Sequence, residues 1–302
     1  MSFDLTDDQI ALRDGIRSLV TGRFPIETVR NGFDRAGFDE LTAAGVFSLC
    51  DDGFTWADAA IVYEELGRGL VPGPLVWSFG EQGVVTGFDT TRGGAPLVEH
   101  AGDADTVLVL GEDDARRVRV ADLALGERED WPLDPLTPVW RIDGIADAPG
   151  EVDSGVTPRA LRIDQALLAA AYCVGMADRL VELAVDYAQE RKQFDRVIGS
   201  FQAVKHICAE MAVRVELARV SVHAAACVLD DPETGLWSRA VPGAKLLAGE
   251  AAVLNGRAAT QVFGGMGFTW EVDAHLPLRR AWVYATHFGS IDDHAELLAE
   301  MV

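Results

Sequence analysis

Lysine is nearly absent from this chain: Lys192, Lys205 and Lys245 are the only three among 302 residues, so arginine carries almost all the positive charge. Positive charge is itself scarce. Lysine and arginine total 26 against 48 acidic residues, a formal net charge of −22. Such a surface repels phosphate backbones and anionic lipid, and no basic run offsets it, so neither nucleic acid nor a membrane surface is an expected partner. Cysteine is sparse too. Cys50, Cys173, Cys208 and Cys227 show no CxxC or other metal-ligand spacing, which argues against a zinc site and a disulfide framework. Three of the four lie in apolar helical patterns, the usual setting of a buried free thiol. No apolar run reaches bilayer length; the longest, Ala166 to Ala177, is short and rich in alanine. The N-terminus, Met1 to Asp8, has neither a basic region nor an apolar signal core, which predicts a cytoplasmic protein. No G-x-G-x-x-G follows a strand pattern, and there is no P-loop, His-Glu-x-x-His or G-x-S-x-G.

What remains is ample core material: 49% apolar and 25% charged residues, an ordinary globular mixture. The length exceeds what one core usually serves, and three stretches differ in pattern. Residues 1–85 read as an N-terminal helical domain. Asp4 or Thr6 is placed to cap a first helix with Ile10, Leu12, Ile16 and Leu19–Val20 on one face; a second runs from Trp56 to Leu70 and stops at Val71-Pro72-Gly73-Pro74. Residues 86–156 carry short β-rich runs (Thr106–Leu110, Val118–Val120, Pro138–Ile142) broken by Gly, Asp and Pro, an abbreviated β domain. Residues 157–302 show sustained helical periodicity in three long segments and two short ones near 275–287 and 291–301. Long amphipathic helices with short loops predict an antiparallel four-helix bundle. The fold class is therefore α+β, mostly α.

The chemistry-bearing motifs lie in that bundle. Arg191-Lys192-Gln193-Phe194 ends one predicted helix, Gly199-Ser200-Phe201-Gln202-Ala203-Val204-Lys205-His206 opens the next, and Gln261-Val262-Phe263-Gly264-Gly265-Met266-Gly267-Phe268 ends the third. Three glycines in four residues let backbone approach a ligand closely and turn N–H groups toward an anion. Arg191 suits a phosphate and Phe194 an aromatic ring. Taken singly, Gly264–Gly267 also reads as a helix C-cap and Arg191 as a surface charge; the joint occurrence carries the argument.

The order R-x-x-F, I-G-x-F-Q-x-x-K-H, Q-x-F-G-G-x-G-F resembles the C-terminal domain of the acyl-CoA dehydrogenase family, and the helical N-terminus and proportions extend the resemblance over nearly the whole chain. The resemblance implies FAD-dependent oxidation of an acyl-CoA thioester to the 2,3-enoyl-CoA, with a glutamate taking the α-proton and an electron-transfer flavoprotein usually reoxidising the flavin. It further implies that Arg191, Phe194, Gln202, Gln261, Gly264, Gly265 and Gly267 reach the ADP half of a neighbouring subunit's FAD. Asp195 stands where the family usually has glycine.

Two departures shape the expectation. The family's Tyr-Glu-Gly-Thr element reads His287-Phe288-Gly289-Ser290 here, so Phe288 occupies the place of the catalytic glutamate. The alternative base position, on the first bundle helix, falls on Gln165, beside Asp164. The middle domain also lacks the T-E-P…G-S-D and W-I-T segments that embrace the flavin ring in the family. Substitute bases are Asp164 and Asp292, yet both read as acids of a helix's first turn, where the dipole favours negative charge. Ser290 reads as an N-cap beside Asp292 and Asp293. His206 lies one turn beyond Gln202; His223 and His275 carry no signal, and Trp131 and Trp140 read as flavin-stacking or core residues alike.

The pattern is thus similar to the short, base-lacking subunits of heteromeric (α2β2) acyl-CoA dehydrogenases acting on steroid-derived CoA thioesters in actinobacteria. The implied partner is a longer subunit bearing base and flavin cradle. Two other readings stand beside it: a homodimeric enzyme using Asp164 or Asp292, and a scaffold that binds acyl-CoA or a partner without flavin.

Overall fold

The computed structural model describes residues 5–153, 155, 157–231, 233 and 235–301; Asp4 and Pro232 lie outside them. Helices α1 (Asp7–Arg23), α2 (Ile26–Val29), α3 (Arg35–Ala43) and α4 (Trp56–Arg68) precede six short strands. These are β1 (Val85–Asp89), β2 (Leu97–Glu99), β3 (Thr106–Leu110), β4 (Ala115–Arg119), β5 (Val139–Arg141) and β6 (Glu151–Val152). Then follow α5 (Pro158–Glu190), the hairpin β7 (Lys192–Gln193) and β8 (Arg196–Val197), α6 (Gln202–Asp230), α7 (Trp237–Phe263), α8 (His275–Tyr284) and α9 (Ile291–Ala299). The architecture is mostly helical with a small sheet, as the periodicity predicts. By internal contacts the chain divides into two compact units: Met1–Pro25 with Thr55–Val71 and Ala166–Val302, and Ile26–Phe54 with Pro72–Gln165.

The first unit is helical. Three starts are fixed by reciprocal capping boxes: Thr6 with Gln9, Thr55 with Asp58, and Ser290 with Asp293. The alanine-rich run from Ala166 to Ala177 is buried on every face, as an all-round apolar helix must be. Small residues let α4 cross α5 backbone to backbone. A Cβ on Gly67 would lie 2.0 Å from the Tyr172 carbonyl oxygen, and one on Gly175 only 1.8 Å from that of Glu64. Along the bundle, Leu180, Ala184 and Ala188 of α5 meet Met211 of α6 and Ala259 and Val262 of α7. The end of α5, the start of α6 and the end of α7 therefore share one end of the bundle, so successive long helices run antiparallel. Asn255, fully buried on α7, donates to the carbonyl oxygens of Ala177 (3.3 Å) and Met211 (3.1 Å) and ties the three together.

The second unit holds a four-stranded sheet in the order β1-β3-β4-β6, parallel between β1 and β3 and antiparallel elsewhere, beside the antiparallel pair β2–β5. Val98, Val107, Val109, Val118, Ile142 and Ile145 form its core, against which Trp140 packs. Trp140 also covers Gly102, where a Cβ would meet its ring at 2.4 Å. Trp131, by contrast, is 92% exposed. Among the described residues no helix is long and apolar enough to cross a membrane, and no His/Cys/Asp/Glu group is arranged to hold a metal.

Candidate functional site

The bundle end that gathers α5, α6 and α7 also gathers the motif residues. The predicted helix through Phe194 stops earlier, at Glu190, because the chain turns into the β7–β8 hairpin. Arg191 sits at that junction, its N–H donating to the Tyr187 carbonyl (2.9 Å) and its carbonyl receiving the N–H of Ile198 (2.8 Å), while the residue as a whole is exposed. Phe194 and Asp195 form the hairpin tip with φ of 53° and 63°, two consecutive left-handed residues as a type I′ turn requires. Aspartate tolerates that region, which explains how Asp195 replaces the family's glycine without breaking the hairpin. The turn leaves Phe194 85% exposed, edge-on to Phe201 at 6.2 Å, while Arg196 lies over the Phe201 ring at 3.9 Å.

Gln202 is the first residue of α6, one turn later than the predicted helix start; the segment Ile198–Ser200 is a 3₁₀ turn instead. Its Nε2 lies 3.2 Å from Nε2 of His206. On α7, Gln261 is exposed, and Tyr187 stacks on Phe263 at 4.3 Å, locking the end of α5 to that of α7. Gly264 ends the helix with φ 60°, so the C-cap reading and the open-backbone reading both describe it. Nothing stands within 4 Å of where a Cβ on Gly264 or Gly265 would be, whereas one on Gly267 would press to 2.8 Å from the Thr260 carbonyl oxygen. Gly264 and Gly265 thus present bare backbone outward, and Gly267 is needed for the tight return. An exposed aromatic, an exposed guanidinium, two exposed amides and uncovered glycine backbone at one end fit a nucleotide diphosphate, whose ring stacks and whose phosphates accept N–H donors.

Phe288 contrasts with these exposed residues. It is 8% exposed, with φ 53°, in the loop between α8 and α9. Tyr284 at the base of that loop stacks on Tyr172 (4.3 Å), and the Tyr172 hydroxyl donates to the Val71 carbonyl (2.9 Å) and accepts from Arg280 Nη1 (3.0 Å). Lys245, also buried, donates from Nζ to the carbonyls of Tyr284 (2.8 Å), Ala285 (3.3 Å) and Gly289 (3.4 Å). Neither buried cation drew notice in the sequence, since each pairs with loop carbonyls remote in the chain.

Of the substitute bases, Asp292 is exposed in the first turn of α9, whose cap Ser290 forms with Asp293. Asp164 is different from its first-turn expectation. α5 begins at Pro158, placing Asp164 nearly two turns inside, and burial alone pushes its carboxyl up to about 7. The adjacent Gln165 is 1% exposed with neither amide atom hydrogen-bonded among the described residues. His275 Nδ1 lies 2.7 Å from the Val272 carbonyl. His223 belongs to a separate charged cluster.

The acyl-CoA dehydrogenase C-terminal domain family matches residues 164–302. The acyl-CoA dehydrogenase IpdE2 of Mycobacterium tuberculosis is 34% identical over 74% of this chain and 71% of its own; IpdE2 of Mycolicibacterium smegmatis is 30% identical over 92% and 93%. Among solved structures, butyryl-CoA dehydrogenase from Megasphaera elsdenii superposes with a TM-score of 0.83 at 18% identity, covering 100% of this chain and 99% of that one. A chain of the ChsE4–ChsE5 complex from Mycobacterium tuberculosis superposes at 0.81 with 20% identity, covering 99% and 98%. The chain belongs to the acyl-CoA dehydrogenase family. The family's members are FAD-dependent oxidoreductases, and FAD is the cofactor.

Proposed function

We propose that this chain is one subunit of a heteromeric acyl-CoA dehydrogenase, which desaturates the α,β-bond of an acyl-CoA thioester. It gives the ADP-side contacts to FAD across the interface and brings no catalytic base of its own. The observation that carries the reading is the contrast between one end of the bundle and the loop joining α8 to α9. Arg191, Phe194, Gln202, Gln261, Gly264 and Gly265 stand open to a neighbour, whereas the base position is filled by the buried hydrocarbon ring of Phe288.

When bound, FAD supplies the hydride acceptor. In this chain Arg191 would hold a phosphate, Phe194 an aromatic ring of the ADP half, and the amides of Gln202 and Gln261 with the bare backbone at Gly264–Gly265 would complete the cradle. Phe288 moves no proton, and general-base assistance is worth roughly two to four decades of rate. The base and the flavin-ring cradle then come from a longer partner subunit, giving an α2β2 assembly; an electron-transfer flavoprotein accepts the electrons. The likeness to a chain of the ChsE4–ChsE5 complex supports this pairing. A steroid-derived CoA thioester is the proposed substrate, and the cytoplasm the proposed location.

Arg191→Ala in the co-produced complex lowers its FAD content, while partner-free chain turns over no acyl-CoA. Turnover by the chain alone contradicts the proposal, and unchanged FAD content favours a flavin-free scaffold. One observation favours a second reading: Asp164, with its carboxyl near 7, has the protonation range of a general base. A self-contained homodimer using it loses its turnover in Asp164→Asn.

A further inference from the structure

A cavity of about 220 Å³ lies in the helical unit beneath α1, away from every residue assigned above. Its walls are Leu5, Arg13 and Arg17 on the α1 side, Ile61, Glu64 and Glu65 on α4, Asp178 on α5, and Arg219 and His223 on α6. On the α1 side, Ile16 and Val20 are buried and Leu12 and Leu19 half-buried. Polar contacts also tie α1 to α4, through the Arg17–Glu65 fork (2.8 and 2.5 Å) and Gln9 Nε2 on Asp58 Oδ1 (2.9 Å).

The carboxylates around the cavity are largely spoken for. Glu65 is held by Arg17. Glu64 accepts from Arg219 Nε (2.8 Å) and lies 3.5 Å from His223 Nε2; Arg219 also reaches Asp178 Oδ2 (3.3 Å) and pairs with Glu216. Arg68 joins Asp178 Oδ2 (3.1 Å) to Glu182. What is left over is specific. Arg13 and Arg17, one helical turn apart on the same wall, use Nε and Nη2 for Asp14 and Glu65, and Nη1 of both carries no hydrogen bond among the described residues. Asp178 directs both its guanidinium contacts to Oδ2, so Oδ1 is likewise without a hydrogen bond, and burial raises this carboxyl above its ordinary value.

Two adjacent guanidinium donors and one carboxylate acceptor are thus left over in a space of about seven water volumes, below the usual size of a drug-like pocket. The Arg13, Arg17 and Asp178 side chains are 33%, 43% and 29% exposed, so water partners these atoms now, and an apolar occupant would displace that water without replacing its hydrogen bonds. A simple anion leaves Asp178 Oδ1 unmatched, and the lining guanidiniums and carboxylates balance three against three, so no net field favours anions alone. We propose that this cavity binds a short carboxylate bearing a neighbouring hydroxyl or ammonium donor, its carboxylate on Arg13 and Arg17 and its donor on Asp178, and that the ligand fastens α1 to the bundle.

The test is calorimetric titration of the full chain with lactate, alanine and acetate, alongside hydrogen exchange of the α1 amides. Lactate or alanine binds and slows exchange across α1, with the tighter of the two identifying the donor. Acetate binds about tenfold more weakly or worse, and Arg13→Gln, which leaves every buried ion pair intact, weakens binding of the preferred probe by a similar factor. Absence of binding by lactate and alanine overturns the proposal. So does acetate binding as tightly as they do, or undiminished binding by Arg13→Gln.

Discussion

Nζ of Lys245 lies 2.8 Å from the carbonyl oxygen of Tyr284, and that buried contact anchors the loop carrying Phe288. The same ammonium also reaches the carbonyl of Ala285, the C-cap of α8, where backbone dipoles leave unsatisfied acceptors and favour a cation, and that of Gly289 just before α9. Lys245→Met removes the buried donor shared by the carbonyls of Tyr284, Ala285 and Gly289, of which Tyr284 still accepts from the His287 N–H (3.3 Å), and costs about 1–3 kcal/mol. A lower urea midpoint with unchanged slope is the expected result.

The crossing of α4 and α5 makes a sharper prediction. A Cβ on Gly175 falls 1.8 Å from the Glu64 carbonyl oxygen and 2.6 Å from the Arg68 nitrogen, backbone atoms that cannot step aside singly. Gly175→Ala is expected to lose about 3 kcal/mol or more, the upper end of overpacking. The thermal midpoint by circular dichroism checks it.

Asp164 predicts a pH dependence with a definite sign. Its carboxyl is raised from 3.8 to about 7 in the folded chain by burial. The folded state therefore holds its proton more tightly than the unfolded state does, and ionising it as pH rises from about 4 through 7 weakens folding. Asp164→Asn, which stays neutral, removes that slope. Thermal midpoints between pH 4 and 8 fall less steeply for the variant than for the parent chain, and the variant gains most at pH 8.

Phe194 separates stability from binding. Its ring is 85% exposed at the tip of a two-residue turn, so Phe194→Ala changes folding stability by less than about 0.5 kcal/mol. The FAD content of the co-produced complex drops nonetheless. Equal flavin content, read by absorbance after denaturation, contradicts the role assigned to the ring.

Local signals made much of this fold legible. Thr6 and Ser290 are legible as caps because the partner of each lies three residues away, and the spacing from Leu167 to Val262 marks the bundle because helical period is a local property. The motif residues also converge at one bundle end, where α5, α6 and α7 meet. What escaped was short or remote. The strands Lys192–Gln193 and Arg196–Val197 are too brief and polar to leave a period, so Arg191 and Phe194 read as helix. The brief helix α2 left no pattern either. Asp164 read as a first-turn acid although the helical period was placed from residue 157 onward; with α5 starting at Pro158 it lies nearly two turns inside. The cluster of Arg17, Glu65, Arg219, Glu64 and Asp178 joins residues up to 155 positions apart, which no window along the chain connects.

The central claim is that this chain serves a neighbour's flavin and cannot hold one unaided. The most direct measurement is FAD per chain for the protein produced alone, on a fraction shown to be folded by circular dichroism. The account predicts a ratio near zero that rises when a longer acyl-CoA dehydrogenase subunit is co-produced. A ratio near one for the chain alone contradicts it.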